Sequence, residues 1–196
     1  MKTIFIAIAF LVILSASAFA QLEKGSWIGG VSGNIGYSYS SSSVNHVFSF
    51  GINPYAMYLV HKNIAVGLNL DSRNAFGKSQ YVYVDGQPET IKHSYNSLLV
   101  APIVRLYFGS RKFRPYAGVT TGFAMTHEKF TGSTLSEDSK YSDFGFFLNP
   151  ELGASYWLND RVFLDAKASY DLIKSDRLGG YRTLDIKIGV GLKLGK

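Results

Sequence analysis

The stretch Phe144–Ile173, FGFFLNPELGASYWLNDRVFLDAKASYDLI, decides the fold of this chain. Within Phe144–Leu158 every second residue is apolar or aromatic, and polar residues such as Glu151 lie between them. After a turn signal the alternation resumes over Val162–Leu172, where charged and hydroxyl side chains share the other face. Two segments that alternate with a period of two and are joined by a turn predict a β-hairpin.

The turn of this hairpin is predicted from the parity of its ends. Leu158 and Val162 fall on the same face of the sheet only if an odd number of residues separates them. We therefore predict a three-residue loop at Asn159–Arg161. This is a common hairpin loop, and it needs one residue with a positive φ. Asn and Asp tolerate that conformation best after Gly.

The first 20 residues have the pattern of a secretory signal peptide. Lys2 is a basic start, an apolar run of eleven residues follows over Ile4–Leu14, and Ala18–Ala20 fits an A-x-A cleavage site. Eleven residues are too few to span a membrane as a helix. We therefore expect a cleaved signal peptide at residues 1–20 and one mature domain at residues 21–196.

Composition excludes several classes of protein. The chain has no cysteine, so neither disulfides nor a lipid-bearing cysteine is expected. The formal net charge of +6 falls to +5 when Lys2 is removed, and the basic residues look scattered. No basic and aromatic cluster predicts nucleic acid as a partner, and no motif predicts a cofactor.

Eight alternating segments follow, and none of the mature chain has a helical period. Pro54, Pro102 and Pro150 are spaced by 48 residues, and aligning the chain on them keeps the apolar face in phase. This repeat of hairpin pairs supports the count of eight. The segments are Ser26–Tyr39, His46–Val60, Ile64–Val84, Lys92–Phe108, Phe113–Phe130, Tyr141–Leu158, Arg161–Ile173 and Tyr181–Leu194.

The connections alternate between tight and long. The tight ones are His61–Asn63, Gly109–Lys112 and Asn159–Arg161. The longer and more polar ones are Ser40–Asn45, Asp85–Ile91, Thr131–Lys140 and Lys174–Gly180. Short turns at one end and long loops at the other are typical of a bacterial outer-membrane barrel. The sequence therefore predicts an all-β fold: an eight-stranded antiparallel up-and-down transmembrane β-barrel with both termini on the periplasmic side.

The alternation by itself fits either a membrane barrel or a soluble barrel of the lipocalin type, in which the apolar face points inward. Three observations favour the membrane barrel: the signal peptide, no helix after the last strand, and aromatic residues near strand ends as in interfacial girdles. These aromatic residues are Trp27, Tyr37, Tyr39, Tyr58, Phe108, Tyr156, Tyr170 and Tyr181.

The face opposite the apolar one carries balanced charge, as a narrow interior requires, because an unpaired buried charge is costly. We expect these residues to form a salt-bridged network that plugs the lumen, since an eight-stranded barrel is just wide enough for its own side chains. The predicted lumen network consists of Asp71, Arg73, Arg105, Glu151, Asp165, Lys167, Asp185 and Lys187.

The chain resembles the small eight-stranded outer-membrane barrels of the OmpA/OmpX type, and especially the outer-membrane β-barrel domain family abundant in Bacteroidetes. The likeness is carried by Lys24–Gly30, by the repeated Asn-Pro strands and by Arg114–Gly118. It implies a cell-envelope protein of the bacterial outer membrane. Outer-membrane lipid, the barrel-assembly machinery and an unknown extracellular ligand bound by the long loops are the implied partners. Such barrels usually end on an aromatic residue, whereas this chain ends with Leu192–Lys196.

One region of the sequence contains candidate catalytic or metal-binding residues. His46, His93 and His127 fall near the long-loop end, and Glu128 lies beside the last of them. Their spacing matches no motif, so no catalytic, cofactor-binding or metal residue is predicted. We expect a non-enzymatic protein with a structural, adhesive or loop-mediated binding role. The alternatives are a lipid-modifying outer-membrane enzyme and a lipocalin-like carrier of small ligands, and a lipid-facing Ser–His pair or a large apolar cavity would favour these.

Overall fold

The computed structural model describes residues 22–40, 45–84, 87–109, 112–131, 139–175 and 179–195, so the predicted signal peptide lies outside the described residues. The described chain forms eight β-strands. They are β1 (Trp27–Ser40), β2 (Asn45–His61), β3 (Ile64–Val84), β4 (Gln87–Tyr107), β5 (Phe113–Thr131), β6 (Ser139–Trp157), β7 (Val162–Ser175) and β8 (Gly179–Leu194).

The strands close into a barrel in which each pairs antiparallel with the next and β1 pairs with β8. This confirms the predicted eight-stranded up-and-down barrel. No helix in the described part of the chain is long and apolar enough to span a membrane.

The hairpin of β6 and β7 has the predicted three-residue loop. Trp157 pairs with Phe163, and the Leu158 amide donates to the carbonyl oxygen of Val162 at 2.9 Å. The Oδ1 atom of Asn159 accepts hydrogen bonds from the amides of Arg161 and Val162, both at 2.8 Å. Asn159 therefore stabilises the turn with its own side chain, as Asn does in Asx-turns.

The connection between β3 and β4 differs from the prediction. The expected loop Asp85–Ile91 is wrong over residues 87–91, because these residues belong to β4 and pair with the end of β3. Pro88 pairs with Tyr83 close to the start of its strand. A proline there removes few ladder hydrogen bonds, so pairing with an extended neighbour overrides its turn preference. Most residues of the other three expected long loops lie outside the described residues.

The apolar face points outward and the charged face inward. Leu152 is 69% exposed and its neighbour Glu151 only 3%. Ile188 and Lys187 show the same contrast, at 70% and 2%. The lipocalin-like alternative is therefore wrong, because it requires the opposite orientation of both faces.

The seam between β1 and β8 is paired over only part of its length. The register runs from Trp27↔Leu194 to Gly33↔Ile188. Beyond this point the described residues of β1 pair only with β2. A side-chain hydrogen bond crosses the seam there, from Nδ2 of Asn34 to Oδ1 of Asp185 at 3.5 Å. The barrel is thus closed more loosely at its long-loop end.

Candidate functional site: the barrel lumen

All eight residues of the predicted lumen network lie on the inner face of the barrel. The structure divides them between two groups rather than one. The lower charge cluster consists of Arg105, Glu151, Asp165 and Lys167. The upper charge cluster lies nearer the long-loop end and consists of Asp71, Arg73, Asp185, Lys187 and a ninth residue, Asp171.

Glu151 holds the lower charge cluster together. Its Oε1 accepts a hydrogen bond from Nε of Arg105 at 2.5 Å, and its Oε2 accepts one from Nζ of Lys167 at 3.1 Å. The hairpin register places Gly153 opposite Lys167, so Glu151 and Lys167 are diagonal neighbours across two strands. Long side chains bridge such a diagonal. One carboxylate thus contacts two buried cations, and the cluster becomes neutral only with the second anion, Asp165.

Arg105 is a completely buried cation, with no exposed surface. Its guanidinium carbon lies 4.5 Å from the ring centroid of Tyr55 and 4.4 Å from that of Tyr116. The second anion of the cluster, Asp165, lies 3.5 Å from Nη1 of Arg105 and accepts a hydrogen bond from the Tyr116 hydroxyl at 3.1 Å. Aromatic faces attract a guanidinium, so the two rings help to offset the loss of water around this cation.

The upper charge cluster is centred on Arg73. Its guanidinium contacts Asp71 at 2.8 Å, Asp185 at 3.1 Å and also Asp171. Lys187 adds a second cation, with its Nζ 2.5 Å from Oδ2 of Asp71. Asn149 of β6 also donates a hydrogen bond to Asp171. Side chains from four strands, β3, β6, β7 and β8, therefore meet in this cluster.

Two amide side chains extend from the lower charge cluster toward the upper one. Asn53 accepts a hydrogen bond from Nζ of Lys167 at 2.8 Å and donates one to Oδ1 of Asn69 at 2.7 Å. Asn69 lies two residues before Asp71 on the same face of β3. The polar contacts of the lower cluster therefore reach β3 at a residue that lies two positions before Asp71 of the upper cluster.

Two buried charges were missed by the sequence analysis. Asp171 has no exposed surface, and Arg114 is buried near the tight-turn end of β5. Both have the inward parity of their strands, so strict use of the alternation would have included them. With them, the four positive and four negative charges of the predicted network become five of each, and the charge balance is kept.

The tight-turn end of the lumen is lined by a cluster of buried apolar side chains, which the sequence analysis also missed. Trp157 and Phe163 pack with ring centroids 4.7 Å apart, and Leu22 reaches the same cluster from the segment before β1. This apolar floor lies on the side of the lower charge cluster away from the long loops. It consists of Leu22, Ile28, Met57, Leu59, Ala65, Ile103, Tyr107, Trp157 and Phe163, with Tyr55 and Tyr116 at its boundary with Arg105.

The histidines near the long-loop end do not form one site. His93 points inward and stacks on Phe130 at 4.6 Å. His127 points outward, so Glu128, the next residue along the strand, points to the opposite face of the sheet and cannot orient it. Nδ1 of His127 instead lies 2.8 Å from the hydroxyl of Ser142 on β6. A Ser–His pair therefore lies on the outer surface of the barrel.

Among the described residues, no group of three or more His, Asp or Glu side chains is arranged to hold a metal ion. The carboxylates of both clusters are engaged mainly with Arg and Lys.

Comparisons with known proteins agree with this architecture. Residues 6–193 match the family model described as outer membrane protein beta-barrel domain. OprG from Pseudomonas aeruginosa is 18% identical with a TM-score of 0.52, and the alignment covers 91% of this chain and 100% of that one. Neisserial surface protein A is 16% identical with a TM-score of 0.51, covering 87% and 98%. At these identities the likeness shows the fold alone. The comparison with curated proteins gives no match.

Proposed function

Because this chain belongs to the outer membrane protein beta-barrel domain family and lies in the bacterial outer membrane, we propose that it is a non-enzymatic barrel with a closed lumen. Its outer face contacts membrane lipid, and its role is structural or adhesive. The partner is bound at the long-loop end, while the lumen residues keep the barrel closed to solutes.

The single observation that carries this proposal is the complete burial of Arg105 between Tyr55, Tyr116 and Glu151. A cation in a water-filled channel would keep part of its surface exposed. The interior of an eight-stranded barrel is just wide enough for side chains. Below Arg105 the floor is lined mainly by apolar side chains, and moving a hydrated ion through them would be very costly because a charge buried without partners is destabilising.

The long-loop end supports a binding role. β3 and β4 each have 21 residues, whereas about 9–11 residues cross a bilayer at the usual tilt. About ten residues of each strand therefore extend beyond the membrane as a paired ribbon. Such a ribbon presents a large surface at a fixed position for contact with an external partner.

Recordings on purified barrels in planar bilayers test the closed lumen. We expect the wild type to pass almost no ions, and Glu151→Ala to show brief openings, because the variant removes the carboxylate that holds Arg105 and Lys167. A steady open conductance from the wild type would show that the barrel is a pore.

A second candidate function is favoured by the outward pair of Ser142 and His127. A serine hydroxyl bonded to a histidine is the arrangement of an activated nucleophile, and an outward position would give it access to lipid. Lipids from cells that produce the wild type or Ser142→Ala can be compared by mass spectrometry. Lipids that lose acyl chains in cells with the wild type but keep them in cells with Ser142→Ala would establish a lipid-modifying enzyme. Identical lipids in the two cultures would exclude this activity.

A further inference from the structure

A row of partly exposed residues lines the lumen just above the upper charge cluster. The register joins them directly across β1–β5, all on the inner face: Gly36, Ser49, Ala75, Tyr95 and Glu128. An eight-stranded barrel has room inside for its own side chains or for one small ligand. Because the first three residues of the row are small and all five keep exposed surface, the row borders an open space, the upper chamber.

The upper charge cluster forms the floor of the upper chamber. Ala75 follows Arg73 by two residues on the same face of β3, so the row and the cluster are adjacent. The side chains of Arg73 and Asp185 are 15% and 12% exposed, whereas the charges of the lower cluster are almost completely buried. Three carboxylates of the upper cluster contact two cations. The floor of the chamber is therefore acidic and accessible.

Three oxygen atoms at this floor take part in no hydrogen bond with the described residues. They are Oδ1 of Asn34, Oδ1 of Asp71 and Oγ of Ser97. The register places Asn34 and Ser97 in one row with Arg73 on the inner face, through Gly51. Ser97 is only 3% exposed, and a buried oxygen without a hydrogen bond is destabilising. Each of these atoms can accept a hydrogen bond, so the floor is suited to a ligand that donates.

The wall of the upper chamber adds two groups that attract a cation. Tyr95 lies directly opposite Glu128 on the inner face. The face of an aromatic ring attracts an ammonium group, and the carboxylate attracts it by charge. Ala75, directly opposite Tyr95 on the other side, adds apolar surface. Acidic, aromatic and apolar groups thus border one space.

We propose that the upper chamber binds a small organic cation, with a primary ammonium group toward Asp185 and an apolar body against Ala75 and Tyr95. An ammonium group has three donors and no acceptor, which matches the oxygens of the floor. Water could donate to the same oxygens but would not balance the acidic groups. The site lies above Arg105 and goes beyond the proposed function, so it does not depend on whether the lumen below is closed.

Nuclear magnetic resonance of the barrel in neutral detergent micelles tests the site, with isotope-labelled alanine methyl groups and benzylammonium chloride as the probe. We expect the methyl signal of Ala75 to shift and saturate, whereas the signals of Ala166 and Ala168 on the outer face stay unchanged. Benzyl alcohol has the same ring without the charge. It should bind about tenfold more weakly.

Two variants separate the charge of the site from its space. Asp185→Asn removes one carboxylate and leaves Asp71 and Asp171 on Arg73, and it should weaken binding of the probe about tenfold. Ser49→Leu keeps every charge and fills the chamber beside Gly36, so it should weaken binding at least as much. The matched control Glu23→Gln removes an exposed carboxylate at the tight-turn end and should leave the affinity unchanged.

The heat-dependent gel shift checks that each variant folds, and either of the two site variants is sufficient for the test. The proposal is overturned if the Ala75 signal does not saturate, if benzyl alcohol binds equally well, or if a folded site variant binds like the wild type. An equal loss in the control would also overturn it. Displacement of the probe by equimolar sodium chloride would show a site for inorganic cations only, and would overturn it as well.

Discussion

Replacing Glu151 by Gln should strongly destabilise the barrel. The buried side chain of Glu151 contacts Arg105 at 2.5 Å and Lys167 at 3.1 Å. The lower charge cluster has two cations and two anions, so the change leaves it with one excess positive charge. Removing one member of a buried ion pair costs about 3–5 kcal/mol. Asp165 still lies 3.5 Å from Arg105, and water can enter from the upper lumen. We therefore expect the lower limit, about 3 kcal/mol.

Urea titration of the barrel in detergent micelles, followed by tryptophan fluorescence, measures this loss. Trp27 and Trp157 are unchanged in the variant, and the gel shift reports the folded fraction independently. A matched control is Glu128→Gln, which removes a carboxylate on the inner face near the barrel mouth. Because Glu128 is only partly buried, the control should change the unfolding free energy by less than about 1 kcal/mol.

A second substitution separates charge balance from packing. Lys167→Met added to Glu151→Gln restores neutrality around Arg105 and Asp165. The double variant should therefore be more stable than the sum of the two single effects predicts, with a coupling of about 1–3 kcal/mol. Our reasoning is refuted if Glu151→Gln is as stable as the wild type, or if the two substitutions are simply additive.

Three other outcomes follow from the barrel. Leu152→Arg places a charge on the lipid face, which costs about 2–4 kcal/mol near the bilayer centre. The heat-dependent gel shift of the folded barrel should therefore disappear. A variant that stays folded and soluble without detergent would contradict the membrane orientation. Cysteines at Ile35 and Ile186 lie on the unpaired part of the seam between β1 and β8. On oxidation they should crosslink at least tenfold more slowly than two cysteines placed at paired positions of the same seam. Equal crosslinking rates would show that the seam is closed along its length. In whole cells, an impermeant thiol reagent should label Lys140→Cys but not Lys62→Cys, and the reverse result would invert the topology.

The sequence alone determined the strands and their two faces. A period of two can be read without knowing any neighbour, because successive side chains of a strand point to opposite sides. The parity of Leu158 and Val162 determined the loop length, and the loop length in turn determined the diagonal of Glu151 and Lys167. Such local relations depend only on the geometry of the chain between two residues.

The tertiary structure decided which residues meet across the barrel. Arg73 and Asp171 are 98 residues apart in the chain and come together only when the register of all the intervening strands is set. The alternation along a strand tells on which face of the sheet a side chain lies, but not at which level along the barrel axis. That level depends on the tilt of the strands and on how the barrel closes. For that reason the charge balance of the lumen could be predicted, whereas its division into two clusters above an apolar floor could not.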